Sequence, residues 1–376
     1  MNAALEKVGV HCEVVCLDDP KEPFLGNDPF PVHAIGPAKT IWRYSDKLLP
    51  WLRANIDRFD VVITHGLWLY HSYATWLASA PYRRQHQHRP SPIKFFVMPH
   101  GMLDPWFQYA KGRKLKAARN WLYWKLIERR VVNESDGVLF TSEIERELAR
   151  QPFWPYCPRK EILIRYGIEQ PACYQQAMQE SFHQACPDLP RRPYWLYLSR
   201  IHEKKGVDLL LKAYATLAIA NPNLPKLVIA GPGLDSSYGQ TIQRIVDNNP
   251  LLRDRVCLPG MLTGRAKWGA LYGCEVFILP SHQENFGIAV AEALACAKPV
   301  LLSDQVNIWR EIVSGHAGLV DKDSGQGVSR LLDAWLNMAQ SEKQQMGQQA
   351  EALFYKQFEI GSAAQSLLEA VSEDGL

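Results

Sequence analysis

At 376 residues the chain exceeds the size at which a single hydrophobic core stops growing, which points to two domains. Hydrophobic residues make up 47% and charged residues 22%, a balance that supplies a core and argues against disorder. The formal charge of +3 is too small to imply a nucleic-acid partner, and eight cysteines without a CxxC spacing resemble neither a dense disulfide framework nor a common zinc module.

Met1–Val10 leads into an apparent strand at Cys12–Leu17, with Cys12 and Cys16 read as local core residues. No apolar run is long enough to span a bilayer and the amino terminus lacks a secretory pattern, so a cytoplasmic location is the simplest expectation. Val61-Val62-Ile63, Phe95-Phe96-Val97-Met98 and Val138-Leu139-Phe140 are short apolar segments separated by helix-forming stretches, the pattern of parallel strands joined by helical crossovers. Neither His65 with His71 nor His86 with His88 has a third ligand in a metal-binding spacing, so no metal is expected.

Between the second and third of these strands, Leu115, Ala118, Leu122 and Leu126 recur at helical spacing, predicting a stripe that packs against a sheet or another domain. The same stretch carries Lys111, Arg113, Lys114, Lys116, Arg119, Lys125, Arg129 and Arg130 together with Trp121 and Trp124. Two readings stay open: a solvated basic face, or a surface facing a membrane or an acidic acceptor. A Gln-rich, Pro-containing stretch then marks a linker, placed at 176–193.

Beyond it, Trp195–Leu198, Leu227–Ala230, Val276–Leu279 and Val300–Leu302 repeat the strand pattern of a second α/β sheet. Arg200 and Lys205-Gly206 follow the first of these, where two cations beside a helix start suit a phosphate, although a solvated basic turn fits as well. Gly231-Pro232-Gly233 follows the next strand and reads as a tight turn or a close ligand approach; GxGxxG and P-loop patterns are both absent. In Ser281–Glu292 the first carboxylate, Glu284, falls in a loop and the second, Glu292, on a helix, with Gly287 near the transition. The two glutamates suit hydroxyl groups or are plain surface acids, and their spacing alone does not make a hydrolase.

With Glu284 through Val300, Arg200, Lys205-Gly206, Gly231-Pro232-Gly233, His65-Gly66-Leu67-Trp68 and His100-Gly101-Met102 in place, the chain resembles glycosyltransferase family 4, the group-1 glycosyltransferases, and within it the bacterial polysaccharide-biosynthesis branch. The resemblance implies an α/β protein of GT-B architecture: an acceptor-side Rossmann-like domain over 1–175, the linker, a nucleotide-sugar-binding Rossmann-like domain over 194–350, and a helical segment over 351–376 returning toward the first domain. The two domains are expected to face each other across a cleft that holds the donor. It implies a retaining transfer from a nucleotide-diphosphate sugar to a glycan or lipid-linked saccharide, without cofactor or metal, in exopolysaccharide or lipopolysaccharide synthesis. A noncatalytic sugar-binding or assembly protein and a GT-B-like sugar-nucleotide epimerase or phosphorylase are the alternatives. Peripheral contact with the inner face of the cytoplasmic membrane is expected through 111–130.

By the same resemblance Arg200, Lys205, Glu284 and His100 are catalytic, the two cations offsetting charge on the leaving diphosphate. Gly231, Gly233, Asn285, Phe286, Gly287 and Glu292 bind donor, Glu292 at the ribose. His65, Gly66 and Gly101 lie on the acceptor side, with structural readings of His65 and His100 still open. Two departures stand out: the family's initial strand and glycine-rich loop are expected to be missing ahead of Cys12, and Tyr166 stands where the family commonly has asparagine before Gly167.

Overall fold

The computed structural model describes residues 1–86, 92–109, 112, 114–189 and 192–372, and the chain divides into two compact units, Met1–Tyr166 with Gly361–Leu376, and Gly167–Ile360. His88, Lys111, Arg113, positions 190–191 of the expected linker and positions 373–376 lie outside the described residues.

In the first unit, β1 (Val14–Cys16) and β2 (Val32–Ala34) form a parallel pair. A separate parallel sheet has the order β3 (Val61–His65), β4 (Lys94–Met98), β5 (Gly137–Phe140), β6 (Glu161–Leu163). The Phe95–Met98 run of β4 and all of β5 are buried, as a parallel strand covered on both faces must be, which is why they read as unbroken apolar runs. Cys12 and Cys16 are only partly buried, so their expected core role holds in part. The helix Ile360–Ser372 runs into this unit: Lys94 Nζ donates to the Val371 carbonyl at 3.0 Å and Arg165 N to Ser366 Oγ at 3.2 Å.

The basic stretch is helical from Lys114 to Asn133, with a wider π turn at Trp124–Glu128. The stripe expected to pack inward is outside. Leu115, Leu122 and Leu126 are exposed, while Asn120, Trp124, Glu128, Val131 and Val132 face the core. Two bulky tryptophans sat in the same window, and only Trp124 joins the cluster of Leu67, Phe95, Val97, Val138, Phe140 and Phe153.

The second unit is a six-stranded parallel sheet in the order β12-β11-β10-β7-β8-β9. Its strands are β7 (Trp195–Leu198), β8 (Leu227–Ala230), β9 (Val256–Gly260), β10 (Val276–Leu279), β11 (Val300–Ser303) and β12 (Gly318–Asp321). Succession runs outward in both directions from the β7/β10 neighbours, so the topological switch lies between them, the place where an open α/β sheet presents a crevice beyond the carboxyl ends of its strands.

The linker expected at 176–193 is not a linker. It opens with the helix Gln176–Ala185, whose Met178 and Phe182, one turn apart, are buried. The helix packs against Gly264–Gly273 so closely that a side chain on Gly269 would meet the Met178 carbonyl at 2.0 Å. Composition hid it because two buried positions per ten suffice to anchor a glutamine-rich helix.

Candidate functional site

The chain leaves β7 at Ser199 and β10 at Pro280, on either side of the switch, and its backbone stitches the two exits together. His282 N donates to the Lys204 carbonyl at 2.8 Å. Gly206, left-handed at φ 66°, lies where a Cβ would sit 2.1 Å from the Pro280 carbonyl, so only glycine fits. The turn Glu203–Lys205 then feeds the 14-residue helix Val207–Ala220.

This packing brings Lys205 and Glu284, 79 residues apart, into a direct Nζ to Oε2 ion pair. Lys205 is buried and Glu284 half-buried, so the pair keeps both charges where either alone would be costly. Glu284 is itself held by backbone on both sides: its amide donates to the Gln305 carbonyl at 3.0 Å, and its carbonyl accepts from Asn307 N at 2.9 Å. Asn307 Nδ2 also donates to Asn285 Oδ1 at 3.2 Å. Phe286 is buried edge-on against Phe358, with ring centroids 5.7 Å apart. Gly287 (φ 78°) makes the left-handed step that starts the helix Ile288–Ala295.

Two helices therefore begin just beyond neighbouring strand ends, and the amides of a helix's first turn favour an anion. Arg200 lies exposed on the β7 exit, and no carboxylate pairs with it among the described residues. Its carbonyl accepts from the buried Tyr197 hydroxyl at 3.0 Å, which fixes the backbone from which the guanidinium projects. Burial pushes the Tyr197 phenol well above its ordinary range, so it stays a neutral donor. Gly231 and Gly233 have packing reasons of their own: Cβ atoms there would lie 1.8 Å from the Ser199 carbonyl and 2.8 Å from that of Ile201. These glycines let the exits of β7 and β8 touch.

Glu292, on the helix that follows Gly287, pairs through Oε1 with Lys267 Nζ at 2.7 Å, leaving Oε2 to accept a hydroxyl. Lys267 and Asn307 escape a reading of the sequence because each is distant in chain from the group it holds and lies in no motif, 25 residues from Glu292 and 22 from Asn285.

In the first unit, His65 ends β3 and His100 follows β4, its neighbour. His65 Nδ1 and His100 Nε2 are 3.0 Å apart with rings stacked at 5.3 Å, and His71 Nε2 donates to the His65 carbonyl at 2.8 Å. The His65 residue keeps exposed surface, yet protein packed around its ring, then the nearby His100 and His71, lower its pKa to about 4. Desolvation lowers His71 and His100 as well, so the group is neutral and shares a hydrogen bond in which one ring donates and the other accepts. His100 (φ 51°) and Gly101 (φ 76°) are consecutive left-handed residues. Gly101 N donates to the buried carboxylate of Glu145, whose other oxygen accepts from Thr141 N at 2.8 Å and Thr141 Oγ1 at 2.7 Å. Gly66 N reaches the Met98 carbonyl at 2.8 Å, and Tyr166 stands edge-on to His100 at 6.1 Å.

Beneath the turn after Gly66 lies Glu128. Its Oε1 accepts from Trp68 N at 2.7 Å and Ser72 Oγ at 2.6 Å, while Oε2 is buried without a partner. Complete burial raises this carboxyl to about 7, against the smaller opposing effect of those two donors. Among the described residues no group of three or more His, Cys, Asp or Glu is placed to hold a metal ion.

Comparison with known proteins matches residues 179–353 to the family described as glycosyl transferases group 1, and residues 1–167 to the glycosyl transferase 4-like domain. Alpha-D-kanosaminyltransferase of Streptomyces kanamyceticus is 26% identical over 260 residues, covering 67% of this chain and 64% of that protein. Alpha-maltose-1-phosphate synthase of Mycolicibacterium smegmatis is 26% identical over 58% of this chain and 55% of its own length. The chain thus spans less than two thirds of these curated relatives. Sucrose-phosphate synthase of Thermosynechococcus elongatus superposes with a TM-score of 0.70 at 19% identity, covering 98% of this chain and 90% of that one. HepE of Anabaena, solved with UDP and glucose, gives 0.67 at 15% identity over 92% and 86%. At these identities the likeness to solved structures is one of fold.

Proposed function

The chain belongs to the group-1 glycosyltransferases of the GT-B fold, and we propose that it moves a sugar, with retention at the anomeric carbon, from a nucleotide-diphosphate sugar to a saccharide or lipid-linked saccharide acceptor. The observation that carries the reading is the meeting, at the β7/β10 switch, of Arg200, the Lys205–Glu284 pair and two helix starts. A diphosphate leaving group develops negative charge as its bond to the sugar breaks, and fixed cations and amides in place beforehand stabilise that charge without reorganising. Arg200 and Lys205 supply the charge, and Glu284 holds the lysine in position. Glu292 takes a ribose hydroxyl on Oε2.

In the first unit, His65, Gly66 and Gly101 take the acceptor side and His100 meets the transferred sugar, as neutral donors and acceptors suited to hydroxyl groups. The acceptor hydroxyl attacks from the face the nucleotide leaves, and a phosphate oxygen of the leaving group takes its proton. Bacterial exopolysaccharide or lipopolysaccharide assembly is the setting in which such acceptors arise.

The test is a panel of UDP- and GDP-sugars against saccharide and lipid-linked acceptors, with products identified by mass spectrometry and anomeric configuration by NMR. Acceptor-dependent product of retained configuration, unaffected by chelator, is expected. Donor binding without turnover across the panel would instead support a sugar-binding protein. Acceptor-free conversion or phosphate-dependent cleavage would support an epimerase or phosphorylase.

A further inference from the structure

The helical stretch from Lys114 to Asn133 carries apolar residues on two faces. Trp124, Val131 and Val132 serve the core of the first unit. Leu115, Leu122 and Leu126 do not: they are 89%, 54% and 62% exposed. Trp121, also exposed, is joined by Trp154, 78% exposed on the segment after the helix Glu143–Ala149. Lys125 Nζ sits between the two indoles, 5.4 Å from the Trp121 ring and 5.2 Å from that of Trp154. Isolated apolar side chains on a surface need no explanation, but three leucines and two tryptophans on one helix and its neighbour form a patch.

The exposed charge along the helix itself has one sign. Lys114, Lys116, Arg119 and Arg130 are exposed, and Lys125 and Arg129 are half-buried. From Trp106 to Asn133 the sequence contains a single carboxylate, Glu128, and it is fully buried, bonded inward to Trp68 and Ser72. Glu134, just past the helix, accepts from Trp76 Nε1 at 3.0 Å. A solvated helix face mixes both signs to support itself by ion pairs; this one has none to make along its own length.

We propose that this face lies on the surface of an anionic phospholipid bilayer, with the leucines and the two indoles at the headgroup boundary and the bases against lipid phosphates. Tryptophan is amphipathic in the way that boundary demands, and lysine and arginine can bury their stems there while keeping their charge among the phosphates. A protein partner would have to offer matching apolar and anionic surface along a helix of 20 residues, roughly 30 Å; a bilayer presents that to any approach. None of the donor-loop residues takes part, so the proposal stands or falls separately from sugar transfer.

The experiment is co-sedimentation of the full chain with vesicles of phosphatidylcholine, alone or mixed with phosphatidylglycerol. Binding is expected to the mixed vesicles, to weaken with added salt, and to fall roughly fivefold for each base removed in Lys116→Gln and Arg119→Gln. Leu122→Ser with Leu126→Ser changes exposed positions only and should lower partitioning about tenfold or more while leaving the thermal transition in place. Equal binding to both vesicle types would overturn the anionic surface. Unchanged binding by the serine variant, together with equal retention on a soluble anionic polymer, would overturn the bilayer in favour of a polyanion.

Discussion

In the second unit Lys205 is buried with Glu284 beside it, and Glu292 has Lys267, so each charge that enters the protein meets its opposite. In the first unit Arg83 and Asp136 are paired in the same way, but Glu128 has only neutral donors, and His65, His71 and His100 have one another and backbone carbonyls; burial at these groups removes the charge instead of pairing it. The difference is chemical. Paired charges keep a directed field, which a diphosphate can exploit. Neutral imidazoles offer hydrogen bonds without a net charge, which suits hydroxyl-rich groups. The two sites should therefore respond differently to charge removal and to pH.

The largest effect is expected at Lys205. Lys205→Ala removes a preorganised cation and strands Glu284 near the proposed phosphate position, so transfer should fall roughly 10²–10³-fold. Arg200→Ala leaves no stranded partner and should cost less. Near-native single-turnover rates in both folded variants would remove the diphosphate site from this place.

Glu128 gives the next largest effect. Its pKa, about 7 in the folded protein against an ordinary 4.5, means that the folded state holds a proton the unfolded chain releases. Stability from this group is therefore complete below about 4.5 and is lost as pH rises through 7. Glu128→Gln removes that dependence, and at pH 8 it should stand more stable relative to its pH 5 value than the native chain by up to about 3 kcal/mol. Urea denaturation at the two pH values measures it; parallel profiles would show that Glu128 is not held neutral.

A smaller change is expected at Glu292. Glu292→Ala should weaken donor binding by about 1.5–3 kcal/mol, the worth of a hydrogen bond to a charged acceptor. Lys267→Ala serves as the control, since it breaks the same ion pair but keeps the carboxylate. Calorimetry with equal donor affinity in the native chain and Glu292→Ala would take the ribose away from this residue.

What could be read from the sequence follows the same division. Arg200, Lys205-Gly206 and Glu284 through Glu292 are short contiguous signals that follow apolar runs such as Val276–Leu279, and a strand buried on both faces announces itself by composition. Glu128 does not: among so many lysines and arginines it looks like a surface acid, and only packing shows that Trp68 and Ser72 enclose it. Lys267 stands 25 residues from Glu292, a contact that no local pattern encodes. The 115–126 stripe had the correct helical period and the wrong side, because periodicity reports that apolar residues share a face without saying which face the core takes.

The smallest effect, and the sharpest for the contrast, belongs to His65. Its pKa is lowered from 6.5 to about 4, so the folded state resists a proton that the unfolded chain accepts. The sign is opposite to that of Glu128: the contribution of His65 is present above 6.5 and is lost as pH falls toward 4. Because the residue keeps exposed surface, solvent screening reduces the full value, and about 1 kcal/mol is expected. Between pH 4.5 and 6.5 the two groups therefore oppose each other. Relative to the native chain, His65→Gln should gain stability toward the acid end of that window, and Glu128→Gln toward the alkaline end. Differences against the native chain cancel the titrating groups that do not touch the substituted residue, so two urea titrations per variant suffice. If His65→Gln shows no pH-dependent difference, the imidazole is protonated as readily in the fold as outside it, and the neutral hydrogen bond between His65 and His100 cannot be the state that operates near neutrality.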